Sequence, residues 1–379
     1  MKFLSSKASM IEVFSIAQEV ISTKNVGSIL SSVLIIVDNN ITIKATDLKI
    51  NYEAQITAEI SEPGNVVVYC NKFIEILNSF SLNEEIEFFQ EESKKKNEED
   101  NLIINMIIKP TCGGINFQIR NTPCQQFHDF SIDKNISYFK INSKSFKEMI
   151  EQTLFAVSVE ESRHFMNGVF FEKKENNLNL VATDGRRLSF ISKQIFEEVK
   201  EFPSVIVHPK ILNIILKYAP NEGNVLIAVD EKNFFCNFLN YKFSSTLLEG
   251  QFPNYTRVIP KKQQFVFYVK KIDLANALNK HILLMLDRKI GRIYFNISQD
   301  ILKITALHPD IGSVDEEISC DFLGVPCTIA FNFRYIEEPL NKINTETIAF
   351  NFTEEMKAVT MRPEPAQDYF HIIMPMQKE

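Results

Sequence analysis

Residues 9–21 read SMIEVFSIAQEVI, residues 145–157 read SFKEMIEQTLFAV and residues 273–285 read DLANALNKHILLM. The three stretches overlay without a gap. Each opens with a residue that favours helix N-caps: Ser9, Ser145 and Asp273. In the first two a Glu follows three places later, Glu12 and Glu148. That is capping-box spacing, in which each side chain satisfies a backbone N–H the helix leaves unpaired. Behind the cap, apolar residues recur at one spacing: Met10, Val13, Phe14, Ala17, Ile21; Phe146, Met149, Ile150, Leu154, Val157; Leu274, Ala277, Leu278, Ile282, Met285. A period of about 3.6 residues gathers them on one buried stripe. A chain that builds one unit three times is a repeat scaffold.

Each copy continues as a hairpin. The first runs Ser32 to Val37, turns at Asp38-Asn39-Asn40 and returns through Ile41, Ile43 and Ala45. The second runs Gly168 to Glu172, turns near Asn176-Asn177 and returns through Leu178, Leu180 and Ala182. The third runs Arg292 to Ile297, turns at Gln299-Asp300 and returns through Leu302, Ile304 and Ala306. Alternation broken by Asn or Asp is the hairpin signal. A short strand then feeds a second helix, within 66–80, 205–218 and 328–343, with Lys72, Lys210 and Arg334 at matching places. Pro339 predicts a kink or early end in the third of these. Strand-rich tails over 101–130, 225–260 and 346–376 close the copies, and no Pro/Gly/Ser linker parts them, so they should abut.

At 379 residues the chain is long enough for two to four domains at roughly 100–200 residues each, and three fits the repeat. Its hydrophobic fraction of 45%, with 32 Phe, supplies three cores. No apolar run reaches the ~18–20 residues of a membrane span, and no basic-then-apolar signal segment opens the chain; Met1-Lys2-Phe3-Leu4 reads as the first strand. The six cysteines are scattered without C-x-x-C, which favours a reducing cytosol. The charged stretch Glu91–Asp100 reads as a solvated hairpin loop.

No Walker loop, G-x-G-x-x-G or G-x-S-x-G elbow is present, and the histidines have no metal-ligand spacing. Asp184-Gly185-Arg186-Arg187 is the sharpest local cluster; Asp-Gly favours a tight turn, and no nucleophile–base pair accompanies it. A triplicated scaffold without catalytic motifs argues for binding. The alternative is an enzyme or ligand-binding protein on the same α+β scaffold with its site between domains.

Four groups of residues now come in order: Phe165-Met166-Asn167-Gly168-Val169-Phe170-Phe171-Glu172, Val181-Ala182-Thr183-Asp184-Gly185-Arg186-Arg187-Leu188, Phe252-Pro253-Asn254-Tyr255-Thr256-Arg257-Val258-Ile259-Pro260, and Met374-Pro375-Met376. Together they resemble the bacterial sliding clamp family, the β subunit of DNA polymerase III, over essentially the whole chain.

The resemblance implies an α+β fold of three tandem clamp domains, 1–135, 136–262 and 263–379, each with two helices and antiparallel sheets. It implies a head-to-tail homodimeric ring whose helices line a hole for double-stranded DNA, held topologically and without sequence preference. The clamp would tether the DNA polymerase III core. It would also meet the clamp loader, other polymerases and repair proteins through short peptides, need no cofactor or metal, catalyse nothing, and work in the cytoplasm away from membranes.

A net charge of −7 suits such a tether, since weak attraction is needed only inside the hole. The candidate DNA-contacting residues are Lys24, Lys72, Lys144, Lys147, Lys210, Lys217, Lys280, Arg334 and Lys342, interspersed with Glu12, Glu75, Glu148 and Glu151. Lys24 matches a basic loop residue of the family.

For partner peptides, usually containing Gln and Leu or Phe, the family's cleft between the second and third domains maps to Met166, Thr183, Gly185, Arg186, Arg187, Leu188, Pro253, Arg257, Val258, Asn332, Tyr335, Ile372, Met374, Pro375 and Met376. The apolar members make an adaptable pocket, and Arg187 and Arg257 are expected at its rim, paired with peptide carbonyls or carboxylates. Two departures bear on peptide preference: Gln377-Lys378-Glu379 follows M-P-M where the family usually has Arg or Lys, and His164-Phe165 stands where aromatic pairs are common. The ring interface maps to Phe117 and Ile119 against Leu283 and Leu284 of the other subunit, with Lys72 facing Glu316-Glu317.

Overall fold

Two α-helices per copy lie among the described residues: α1 (Lys7–Val20) and α2 (Cys70–Asn78), α3 (Ser143–Glu151) and α4 (Pro209–Tyr218), α5 (Lys271–His281) and α6 (Phe333–Lys342). The computed structural model describes residues 1–21, 29–81, 84–96, 102–121, 123–132, 136–195, 201–284, 291–308 and 311–378, without the side chains of 92–96, 102–103 and 308. The chain forms two compact units, residues 1–144 with 213–247 and residues 145–212 with 248–379.

The first helix of every copy begins two residues before the residue expected to cap it. Ser9, Ser145 and Asp273 are therefore inside the first turn. The capping boxes do not form either: Glu12 accepts a bond from the Tyr241 hydroxyl, and Glu148 pairs with Lys193 at 2.8 Å. The physical reason is that a strand runs straight into each helix, and the first helical N–H finds a backbone carbonyl instead. Lys7 N donates to Glu84 O (3.0 Å), Ser143 N to Gly223 O (2.9 Å) and Lys271 N to Glu346 O (2.7 Å). The same residue's side chain reaches just past the end of the copy's second helix. Lys7 Nζ donates to the Phe80 carbonyl, Ser143 Oγ to that of Pro220, and Lys271 Nζ to that of Ile343. One residue thus starts one helix and satisfies an orphan carbonyl of another.

The stripes are buried as the spacing predicts, from Met10, Val13, Phe14 and Ala17 to Phe146, Met149 and Ile150 and to Leu274, Ala277 and Leu278. The second and third helices stop earlier than the pattern, giving way to 3-10 turns at Leu154–Ala156 and Ile282–Leu284. In the second copy Thr153 Oγ1 bonds back to the Met149 carbonyl at 2.8 Å, competing with helix continuation. Met285 lies outside the described residues. Pro339 does not end α6, which runs on to Lys342; the following Ile343 N–H closes the turn on the Pro339 carbonyl at 3.0 Å.

The hairpins form as Ser32–Val37 with Ile41–Thr46, Val169–Lys174 with Asn177–Thr183, and Arg292–Ser298 with Ile301–His308. The second turns one residue early, at Glu175-Asn176, with Glu175 left-handed at φ 53°. Glu91–Lys96 is not a loop. It continues the strand Glu85–Lys96, paired with Leu102–Pro110 through Glu91↔Asn105 and Glu92↔Ile104; 97–100 lie outside the described residues.

In the first unit, an eight-stranded antiparallel sheet joins strand Ile50–Ile56 to Tyr241–Thr246, with Ser245 opposite Ile50. In the second unit, a twelve-stranded sheet joins Arg187–Gln194 to Tyr369–Ile373, with Arg187 opposite Ile373. Both joins are entered by the same turn. Thr46-Asp47-Leu48 and Thr183-Asp184-Gly185 each place a left-handed residue third, Leu48 at φ 71° and Gly185 at φ 87°. In each, that residue's N–H donates to the threonine Oγ1, at 2.9 and 3.1 Å. Each join is then clasped alike, Thr246 N to Lys49 O at 2.8 Å and Met374 N to Arg186 O at 2.9 Å. Phenylalanines fill both interiors, through Phe14–Phe73 (4.4 Å) and Phe3–Phe88 (4.8 Å) in the first unit and Phe267–Phe350 (4.8 Å) in the second.

Candidate functional site

The second turn builds a cleft within the second unit. Asp184 Oδ1 accepts the N–H groups of Arg186 (2.9 Å) and Arg187 (3.0 Å), and Thr183 Oγ1 donates to the Arg187 carbonyl at 2.6 Å. At Gly185 a Cβ would sit 3.0 Å from Arg163 Nη1 on backbone at φ 87°, so glycine alone fits without strain. The turn borders a mainly apolar cavity of about 100 Å³, lined by Met166, Thr183, Gly185, Arg186, Arg187, Leu188, Pro253, Tyr255, Val258, Ile372 and Met374. Its floor is a cluster of Val181, Leu188, Ile206, Phe252, Tyr255 and Ile372, braced by stacked Phe170–Phe252 at 4.6 Å. The space matches one aliphatic or aromatic side chain.

Ten of the fifteen expected cleft residues line this cavity. Arg257 is exposed beside it. Asn332 is buried as the α6 N-cap, its side chain accepting Arg334 N at 3.0 Å. Met376 N donates to Ala330 O at 2.8 Å, and Pro375 is half-buried. Tyr335 lies under the Arg187 guanidinium, 4.7 Å from it, and burial raises its phenol pKa. Tyr255 also lines the cavity; it is not among the residues carried over from the family resemblance, although it stands within the F-P-x-Y stretch. Its hydroxyl donates to Glu172 at 2.5 Å, and burial and that bond push its pKa up.

Arg187 departs from expectation. It is 7% exposed and is not a rim group. Nε pairs with Asp184 at 3.0 Å, Nη1 with Glu338, and Nη2 donates to the Phe155 carbonyl at 2.6 Å. All three guanidinium nitrogens are thus bonded within the chain, whereas Arg186 and Arg257 are exposed. Beside it His371 is 1% exposed, and burial, aided by the Arg187 charge, lowers its pKa to about 3.

The other expected residues are dispersed. Lys24 lies outside the described residues. Lys72 pairs with Glu75 (2.5 Å), Lys217 with Glu19, Lys280 with Glu316 (2.6 Å) and Arg334 with Glu338 (2.7 Å). Lys144 is exposed; Lys147, Lys210 and Lys342 are half-buried. Lys72 and Glu316, expected to face each other between subunits, thus each hold a partner in their own chain. Phe117 and Ile119 sit half-buried on Phe117–Arg120, the outermost strand of a five-stranded sheet, with Phe117 edge-on to Phe80 at 5.6 Å. Leu283 is 80% exposed and Leu284 half-buried. No cluster of three His, Cys, Asp or Glu suited to a metal occurs among the described residues.

A side-chain-sized apolar cleft on a triplicated antiparallel scaffold defines a docking protein built of three tandem domains. Residues 1–105, 140–254 and 256–377 match the N-terminal, central and C-terminal domains of the DNA polymerase III beta subunit. The chain is 36% identical over 385 residues, all of both chains, to the beta sliding clamp of Treponema pallidum. It is 23% identical over 343 residues, 90% of each chain, to that of Escherichia coli. Among solved structures, the C. crescentus beta sliding clamp aligns over 100% of this chain and 99% of that one, at TM-score 0.91 and 22% identity. The Pseudomonas aeruginosa sliding clamp bound to griselimycin aligns over 100% of both chains, at TM-score 0.90 and 23% identity. The chain belongs to the DNA polymerase III beta subunit family, the bacterial sliding clamps.

Proposed function

We propose that this chain is a DNA sliding clamp: two copies close head to tail around duplex DNA and tether a replicative polymerase by topology. Whole-length membership of the clamp family, on a chain that repeats one domain three times, carries this reading. A heterologous contact that closes after two subunits is an allowed cyclic arrangement. Phe117 and Ile119 on the edge strand would meet Leu283 and Leu284 of the partner subunit. The three domains would span 1–135, 136–262 and 263–379.

The charge distribution suits sliding. The helix cations Lys72, Lys217, Lys280 and Arg334 sit in exposed ion pairs, which are worth only about 0–1 kcal/mol each. A passing phosphate can exchange with the carboxylate at little net cost, giving contacts that are weak, sequence-blind and salt-sensitive. Lys24, Lys144, Lys147 and Lys210 would add to them.

The cleft would recruit partners: polymerase III core, clamp loader, other polymerases and repair proteins. A Leu or Phe of the partner peptide would fill the cavity over Leu188 and Ile372, Met374 would adapt to its shape, and Arg186 and Arg257 would hold peptide oxygens. The protein would act in the cytoplasm without catalysis of its own. Dimers loaded on nicked circular DNA should stay bound in high salt and leave once the circle is linearised; equal retention on both forms would refute the topological tether.

A further inference from the structure

We infer that the Glu338 carboxylate couples the peptide cleft to the DNA-facing side of α6, so that duplex DNA tightens peptide binding. The inference deepens the clamp reading and rests on it.

Glu338 is shared by two guanidinium groups. Oε2 takes Nη1 of Arg187, the buried cation whose other face lines the cleft. Oε1 takes Nε of Arg334 at 2.7 Å, one turn earlier on α6 and 45% exposed. The Tyr335 ring stacks under Arg187, and the Asn332 cap holds the first turn of α6. One carboxylate therefore divides its charge between a cleft residue and a candidate phosphate contact. A phosphate that takes Arg334 leaves Glu338 to Arg187 alone. Arg187 is then held harder, the Asp184 turn with it, and the cleft loses less freedom when a peptide enters. Linkage makes the effect mutual: the peptide must strengthen DNA contact by the same factor.

The test measures fluorescence anisotropy of a labelled, net-neutral peptide carrying Gln, Leu and Phe, at low salt, with and without a saturating short linear duplex. The expected result is about fivefold tighter binding with duplex, the low end of allosteric couplings. Arg334→Gln should bind peptide at the tightened affinity without duplex and not respond to it. Glu338→Gln should lose the response too, whereas Glu337→Gln, an equal charge change on the same helix, should keep it. Peptide affinity unmoved by bound duplex, or a response that survives in Arg334→Gln, would overturn the coupling. If the wild-type protein binds no peptide, the partner-cleft part of the clamp reading falls instead; weak hold on a linear duplex is what a topological tether expects.

Discussion

Replacing Arg187 with Ala should destabilise the protein, not merely weaken its grip on a peptide. The guanidinium is 7% exposed and joins Asp184, Glu338, the Phe155 carbonyl and the Tyr335 ring. Removing one member of a buried ion pair costs about 3–5 kcal/mol. Here the stranded carboxylates are cushioned. Glu338 keeps Arg334, Asp184 keeps two backbone N–H groups, and their side chains are 20% and 17% exposed. Against this, the Phe155 carbonyl loses its donor, at about 1–3 kcal/mol. These terms overlap, and the expected net loss is about 3 kcal/mol. For a cooperative unit of ~150–250 residues that lowers Tm by roughly 6–12 °C. The assay is a calorimetric melt at fixed protein concentration, so that dimer dissociation does not confound it. Arg257→Ala, which removes an exposed cation beside the same cleft, is the comparison and should melt within ~0.5 kcal/mol of wild type. Equal melting of the two variants would refute a buried tie and restore Arg187 to the rim.

His371 gives a pH signature. Its folded pKa, about 3, lies below the ordinary value of 6.5, so the unfolded chain binds the proton more readily. Its contribution is complete above the unfolded value and falls as pH drops from about 6.5 toward 3, by at most about 1.4 kcal/mol per pH unit. Urea melts of wild type and His371→Asn between pH 7 and pH 5 should converge as pH falls; parallel losses would exclude the histidine. Lys7→Met should cost about 1–3 kcal/mol by stranding the Phe80 carbonyl, read by thermal melting, and no loss would show that water replaces the amine. Gly168→Ala would place a Cβ 2.6 Å from the Val207 carbonyl, so a drop in Tm of several degrees is expected, and an unchanged melt would contradict that packing. Leu283→Ala with Leu284→Ala should yield monomers by sedimentation, whereas dimers persisting on dilution would exclude this interface.

The repeat was legible because helical and strand periodicities are local. Ser9, Ser145 and Asp273 marked three equivalent helices from spacing alone, and their error was a uniform two residues. The shared cause is that the first helical N–H of each finds a carbonyl of distant chain, Glu84, Gly223 or Glu346, which no local pattern announces; in the first copy the local cap is Ser6, whose hydroxyl accepts Ser9 N–H at 3.2 Å. The turn was legible, since Asp184-Gly185 declares a left-handed corner. The cleft it borders came only with the family resemblance, because Met166, Pro253, Ile372 and Met374 reach it from distant parts of the chain. Which cation would be free was not legible, since Arg186 and Arg187 are adjacent and identical in type. Strand alternation sends one outward and the other inward; the inward one is tied locally to Asp184, and Glu338 and Phe155, brought from far along the chain, take its remaining nitrogens.

Chain order alone, then, dictated three helix–hairpin–helix copies and the turn that opens a cleft, because each depends on contacts a few residues apart. Long-range pairing settled the rest. It fused neighbouring copies into continuous sheets through Ser245 with Ile50 and Arg187 with Ile373, and it turned a presumed ligand-binding arginine into a buried tie. A charge's role depends on what surrounds it once water has been excluded, and that is known only after distant strands have met.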